Sequence, residues 1–185
     1  MENLDLSLYP QTSFQDTGAK ATREYAGFWR RFGAYIIDSI ILGAISYGVN
    51  YGIGRVYGNS LSPTILNELA MAGEDPQAVL NVMMGPMLEL LLITSLASFL
   101  VYWFYFAGFE SSGLQATPGK GLVGIIVTDM DGDRVGFGTA TGRCLGKYIS
   151  SLILGIGYLM VAWTAQKQGL HDKIAGTLVM RKPRY

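Results

Sequence analysis

Charged residues and cysteines are scarce in this chain, and each shortage excludes a class of protein. Only 15% of the 185 residues are charged, against roughly 25% in a typical soluble domain, whereas 50% are hydrophobic. The formal net charge is zero, so nucleic acid is not indicated as a partner. A lone cysteine, Cys144, excludes an internal disulfide framework, and with one histidine it makes no zinc-ligand set. No nucleophile–base–acid arrangement is visible, so we expect neither a cofactor nor enzymatic activity.

Two long apolar stretches interrupt this composition, and each contains a single charge. Residues 32–54 include only Asp38, and residues 79–109 include only Glu89. Each stretch exceeds the roughly 20 residues that a helix needs to cross a bilayer. The sequence therefore predicts transmembrane helices over 32–54 and 79–109, joined by an outer loop over 55–78. Gly85-Pro86 predicts a kink or break in the second helix.

The remaining segments are shorter and more polar. Residues 1–25 predict a flexible cytoplasmic tail, because they are polar and show no sustained periodicity. A β-branched run and an Asp-Gly turn predict a cytoplasmic β-hairpin over 117–137. Residues 139–166 predict a third helical element, which Gly155-Ile156-Gly157 interrupts. Residues 170–180 contain a His-Asp motif followed by a candidate strand.

The distribution of lysine and arginine predicts the orientation in the membrane. Residues 1–31 hold four of these side chains, 110–147 hold four, and the tail after 165 holds five, whereas 55–78 hold one. The positive-inside rule therefore places the N-terminus in the cytoplasm. A broken or re-entrant third element satisfies this count, because it returns the basic tail to the cytoplasm. It would also let the candidate strand at 177–180 pair with the strand at 125–128 on the same side. Three simple transmembrane spans are the alternative.

Three ordered motifs resemble the RDD family of bacterial membrane proteins. They lie at residues 27–38, 117–132 and 170–179, and the resemblance covers about residues 26–182. It implies a multi-pass protein of the bacterial inner membrane, and it matches the arginine and two aspartates of the family name to Arg31, Asp38 and Asp172. The expected fold is mainly α: two long transmembrane helices, a broken or re-entrant third element and a small cytoplasmic β-hairpin.

Asp38 lies inside the first predicted helix, where a carboxylate requires a polar partner. Arg31 precedes it by seven residues, which puts both on one helix face but about 10.5 Å apart along the axis. We therefore expect Asp38 to pair with Arg143 or Lys147, and Arg31 to pair with Asp172. Asp38 is either an ion- or proton-binding group or a buried structural contact.

His171 and Asp172 are adjacent, so they predict either a proton relay or a helix cap beside the basic residues. The candidate site consists of Arg31, Asp38, Asp172, His171, Arg143 and Lys147. Two functions remain open: a small oligomeric transporter or ion pathway that uses Asp38, and a non-catalytic accessory or scaffold subunit. The expected partners are membrane lipids with either further copies of the chain or other membrane protein subunits.

Overall fold

The computed structural model describes residues 24–153 and 155–182, with the backbone alone over 60–62. The predicted tail, 1–25, lies outside these residues except for its last two. Six helices and two strands follow in the order α1 Phe28–Ala72, α2 Pro76–Ser111, α3 Pro118–Leu122, β1 Ile125–Asp129, α4 Phe137–Leu152, α5 Ile156–Leu159, α6 Leu170–Ile174 and β2 Thr177–Arg181. A 3₁₀ turn, Met160–Ala162, extends α5.

The first helix is much longer than predicted. It continues through residues 55–72, which the sequence assigned to the outer loop 55–78, and ends at Gly73, where φ is 60°. Polar composition was misleading in this segment. Most of its side chains are exposed, and an exposed helix tolerates polar residues on every face. The predicted loop is therefore wrong over most of its length, and only a short turn joins α1 to α2.

The second helix begins as predicted and then continues through the expected break. Pro76 occupies its first turn, and the Asp75 carboxylate accepts the backbone N–H of Gln77. Gly85 and Pro86 lie inside the helix, which is assigned as one element to Ser111. A proline removes one backbone donor, and the many methionines and leucines around it favour helix. The expected kink or break at Gly85-Pro86 is therefore not a break, and the kink stays a prediction.

Two helices are long and apolar enough to cross a membrane. The qualifying segments are Phe28–Asn59 of α1 and Pro76–Ser111 of α2. A third crossing is possible only if α4 and the segment Ile156–Ala162 form one span, and these lie at 115° to each other. The described chain therefore combines two long apolar helices with a bent helical pair, consistent with the predicted two helices and broken third element.

The strands form a two-stranded antiparallel sheet, in which β1 has the partner expected for a third element that returns to the same side, and not the second arm of the predicted hairpin. β1 pairs with β2, with Val127 opposite Val179. Within the predicted hairpin, 117–137, only the isolated bridge between Thr128 and Arg134 joins the two arms. The Asp-Gly turn does form, because the Asp129 carboxylate accepts the backbone amides of residues 131–133. A longer-range partner with β-branched residues has replaced the local arm.

The sheet and the neighbouring ends of α1, α2 and α4 enclose the main hydrophobic core. Its fully or nearly fully buried members are Ala26, Ala34, Ala107, Ile125, Val127, Val135, Ala140 and Val179. Small side chains on the long helices let the sheet approach closely. Most of the remaining length of α1 and α2 is exposed. Burial is thus concentrated at one end of the helix pair, where the charged residues also meet.

Candidate functional site

Asp38 holds the segment between α2 and β1 against α1. One oxygen, Oδ1, accepts the Tyr105 hydroxyl at 2.7 Å and the Gly119 amide at 2.8 Å, and the other accepts the Thr117 hydroxyl at 2.6 Å. Thr117 is also the N-cap of α3. The Asp38 side chain is therefore buried, with both oxygens occupied by uncharged donors. This arrangement is a structural clasp.

Gly119 allows this clasp to close. A Cβ atom at this position would lie 2.5 Å from the Ala34 carbonyl oxygen and 2.7 Å from the Asp38 carboxyl carbon. Both distances are shorter than any ordinary contact, so no other residue fits without movement of the backbone. The Thr117-Pro-Gly-Lys120 motif is thus explained by close approach to α1 and by capping of a short helix.

Glu110 is the centre of a buried charge network that the sequence interpretation did not include. Its Oε1 lies 2.5 Å from the Lys120 ammonium and 3.4 Å from the Lys147 ammonium. Its Oε2 lies 3.1 Å from the Arg143 guanidinium. The carboxylate is almost fully buried at the C-terminal end of α2, and it is contacted by cations from α3 and α4.

Arg143 connects this centre to Asp172. Its Nε and Nη2 atoms contact Asp172 Oδ1 at 2.9 and 2.7 Å, while its Nη1 atom contacts Glu110. Arg31 Nη1 binds the other oxygen of Asp172 at 2.5 Å, and its Nη2 donates to the Lys167 carbonyl. The Asp172 carboxylate also accepts the backbone amide of Gly169, the residue that precedes α6. Both carboxylates are therefore compensated by cations.

The environment shifts the pKa values of the ionisable residues in this cluster. Burial alone would raise the pKa of Asp172, but the Arg143 and Arg31 guanidiniums hold it well below its usual range. Burial lowers the pKa of Lys120 to about 7, helped by Arg143 and Lys147 and opposed by Glu110. Burial likewise lowers the pKa of His171 to about 3. His171 is therefore neutral at physiological pH, although it lies beside Asp172.

The structure brings together five of the six predicted site residues, namely Arg31, Asp172, His171, Arg143 and Lys147. The expected contact of Arg31 with Asp172 is present. The expected pairing of Asp38 with Arg143 or Lys147 is wrong, because those cations bind the carboxylates of Glu110 and Asp172 instead. Asp38 instead accepts hydrogen bonds from neutral donors on α2 and in the α3 segment. These donors take the place of a longer cationic side chain from α4.

The missed members are Glu110, Lys120 and Tyr105. The first two had a signal in the sequence, since Glu110 is the first charge after 20 uncharged residues and Lys120 belongs to the Thr-Pro-Gly-Lys motif. Tyr105 had no separate signal, because it lies in a group of aromatic residues that is typical of a membrane interface. Only the contact of α1 with α2 reveals its hydrogen bond to Asp38.

A cavity of about 400 Å³ adjoins the charge network. The cationic side chains of Arg31, Lys120, Arg143 and Lys147 all line it, together with Asp38. Its other walls are mostly apolar and come from the start of α1, the end of α2 and α5. Among the residues that the structure describes, no group of histidine, cysteine or carboxylate side chains is arranged to hold a metal ion. The arrangement therefore favours an anion over a cation.

Comparison with known proteins decides the family. The family model described as "RDD family" matches residues 25–176. The chain belongs to the RDD family. This RDD protein is 34% identical over 157 residues to YxaI of Bacillus subtilis (strain 168). The matched residues are 85% of this chain and 97% of YxaI. It is 29% identical over 168 residues to the Bacillus subtilis membrane protein YteJ, covering 89% of this chain and 85% of YteJ.

A third relative shares only part of the chain. A proline-rich antigen homolog of Mycobacterium tuberculosis (strain ATCC 25618 / H37Rv) is 31% identical over 97 residues, which is 52% of this RDD protein and 39% of the antigen homolog. No solved structure matches the chain. The family match includes the Asp38 clasp and both carboxylates of the network. The chain is thus a membrane protein of the RDD family.

Acidification is expected to destabilise this RDD protein through His171. The unfolded chain binds a proton at His171 below about pH 6.5, whereas the folded protein binds it only near pH 3. The contribution of His171 to stability is therefore complete above pH 6.5 and falls as the pH drops, by up to about 1.4 kcal/mol for each pH unit. The melting temperature, followed by tryptophan fluorescence in detergent, should fall between pH 6.5 and 5.

The variant His171→Gln isolates this effect, because it removes the titrating ring. Lys120 is mostly protonated in both states over this pH range, and its small remaining titration acts in the same direction as that of His171, while Asp172 titrates below the range in both states. The melting temperature of the variant should depend on pH less steeply than that of the wild type. Equal slopes for the two proteins would show that His171 does not carry the pH dependence.

Proposed function

We propose that this RDD protein is a non-catalytic subunit of a larger membrane complex, and that it contacts its partner through the end of the helix pair remote from the charge network. We call residues 56–88 the distal hairpin. The observation that supports the proposal is an exposed apolar face on this hairpin. The two helices are long enough for this face to lie beyond the bilayer.

The lengths of the helices support a position of this face outside the hydrocarbon core. α1 has 45 residues and α2 has 36, which correspond to about 68 and 54 Å, against roughly 30 Å of hydrocarbon. Glu89 accepts a hydrogen bond from the Tyr57 hydroxyl, so both helices carry polar groups at this level. The part of α2 from Glu89 to Glu110 has about the length of one hydrocarbon core. The distal hairpin then extends beyond it.

The exposed face is continuous and rich in methionine. Leu80, Met83, Met84 and Met87 recur at the helical spacing and are between 52% and 76% exposed. Met71 at the end of α1 is 88% exposed. Exposed apolar patches of this kind are typical of protein interaction sites, and methionine adapts to varied partner shapes.

Charge favours a different protein as the partner over a second copy. Residues 55–89 contain four carboxylates and one arginine, a net charge of −3. Two such hairpins would repel each other, whereas a partner with basic residues around an apolar contact would be attracted. Lysine and arginine counts support a cytoplasmic location for the charge network in the inner membrane, which puts the distal hairpin and its partner on the outer side.

The test is extraction of the full-length protein from its own membranes in polymer nanodiscs, followed by native mass spectrometry. The wild type is expected in a discrete assembly whose mass is not a multiple of the chain mass. In the double variant Met83→Gln/Met87→Gln most of this assembly should be lost, because two apolar contacts are replaced by polar groups. The melting temperature should not change, since both side chains are exposed.

The matched control is Met83→Leu/Met87→Leu, which keeps the apolar area and should keep the assembly. Two results would reject the proposal. One is a wild type that occurs only as a monomer or as multiples of itself. The other is a glutamine variant that retains the heteromeric mass.

A transport function is the second candidate, and the cavity beside the charge network favours it. A translocation pathway through Asp38 is less well supported, because three neutral donors already occupy its oxygens. If the protein transports a solute, that solute would be an anion, because cations line the cavity. The Asp38→Asn experiment described in the Discussion separates this candidate from a structural role.

A further inference from the structure

We propose that the cavity beside the charge network binds the phosphate group of an anionic amphiphile, in the first place a phospholipid of the surrounding membrane. The phosphate would contact Lys147 and Arg31. The apolar part of the ligand would extend out of the cavity along its aromatic wall. This binding site is independent of the distal hairpin and its partner.

The charge of the cavity is the first argument. Four cations line it, and their paired carboxylates, Glu110 and Asp172, do not. The network of these six groups carries a net charge of +2, and it remains positive when Asp38 is included. The carboxylates thus lie behind the cations, so positive charge faces the open volume. A buried surplus of this sign is stabilised by an anion.

Incomplete hydrogen bonding is the second argument. Lys147 has three donors, but its ammonium contacts Glu110 only at 3.4 Å and otherwise lies 3.4 Å above the centre of the Phe106 ring. Within residues 24–153 and 155–182, the buried His171 has no hydrogen-bond partner at Nδ1, and this ring also lines the cavity. A phosphate ester offers several acceptor oxygens together with ester or hydroxyl groups, and so suits both side chains.

The walls of the cavity indicate an amphiphile. Phe32, Tyr35 and Leu159 line it and are also 44%, 63% and 46% exposed on the outside of the protein. They belong to the apolar start of α1 and to the bent helical pair, which in a membrane would expose them to lipid. The volume of about 400 Å³ accommodates a headgroup, and the exposed wall provides a path for an acyl chain.

The test is a titration of the purified full-length protein in phosphatidylcholine-containing micelles, with bound ligand detected by native mass spectrometry. Phosphatidylglycerol is added in one arm, and soluble glycerol phosphate in the other. Phosphatidylglycerol is expected to bind in a 1:1 ratio to each chain. In Lys147→Met its Kd should rise about tenfold, because a charged hydrogen-bond donor is lost.

Lys173→Met is the matched control, since Lys173 is exposed on α6 and does not line the cavity. It removes the same charge and should leave the Kd unchanged, and Lys147→Arg should retain binding. If glycerol phosphate binds with the same dependence on Lys147, the result supports the phosphate site and assigns it to a soluble ester. An unchanged Kd in a folded Lys147→Met protein, or no binding in either arm, would overturn the proposal.

Discussion

Replacement of Glu110 by glutamine is expected to destabilise the protein by about 3–5 kcal/mol, the range for breaking a buried ion pair by removal of one partner. Glu110 is the only carboxylate that contacts Lys120 and Lys147 in the described part of the chain, and it shares Arg143 with Asp172. Glutamine preserves the shape of the side chain and removes its charge. Lys120 and Lys147 would then lose the charge of their carboxylate partner, and Arg143 would keep only Asp172.

Thermal unfolding in detergent, followed by tryptophan fluorescence, measures this loss. We expect a melting temperature about 10 °C lower, on the scale that applies to chains of this length. Glu89→Gln is the control, because Glu89 is an exposed acid on the same helix and its loss should cost no more than about 1 kcal/mol.

A second substitution identifies the cause. Adding Lys147→Met to Glu110→Gln removes one of the stranded cations, so the double variant should be more stable than the sum of the two single losses predicts. A Glu110→Gln protein as stable as the Glu89→Gln control would contradict the central role of Glu110. Simple additivity in the double variant would show that Lys147 does not depend on it.

The contact between Arg31 and Asp172 was predictable, whereas the partner of Asp38 was not. The separation of about 10.5 Å between residues seven apart on a helix excluded a direct Arg31–Asp38 pair. It left each residue in need of a partner from elsewhere. For Asp38, charge alone favoured a cationic partner. In the structure two hydroxyl groups and one backbone amide donate hydrogen bonds to it instead. That clasp depends on Gly119, and such close backbone contact is visible only in three dimensions.

Local patterns were reliable where the chain makes its own contacts and failed where distant segments compete. The Asp75-Pro76 helix start and the Asp129 turn are local, and both form as expected. The pairing of Ile125–Asp129 with Thr177–Arg181, about 50 residues away, was expected from the charge count, because a third element that returns to the cytoplasm puts both strands on one side. Glu110 was missed because its partners come from distant segments of the chain. A charge at the end of an apolar stretch resembles an interfacial residue until cations from other helices surround it.

Replacement of Asp38 by asparagine separates a structural clasp from an ion-transport site. Asp38 accepts three hydrogen bonds through two oxygens, while asparagine offers one oxygen and an NH₂ group that must face a donor. We therefore expect a loss of about 2–3 kcal/mol. The release of Thr117 and Gly119 should increase hydrogen exchange in residues 117–123, measured by mass spectrometry. Tyr105→Phe removes one donor without a mismatch and should cost only about 1 kcal/mol.

An ion-binding role for Asp38 predicts the opposite pattern. Stability and hydrogen exchange would then stay at their wild-type values in Asp38→Asn, because the substitution is nearly isosteric, while solute-coupled flux in reconstituted vesicles would be abolished. The clasp instead requires that any loss of function follow the loss of structure, and that Tyr105→Phe show a smaller change of the same kind. Unchanged stability together with abolished flux would therefore support an ion-binding role for Asp38 in transport. Because Gly119 approaches Asp38 too closely to leave room for an ion between them, we expect the structural outcome.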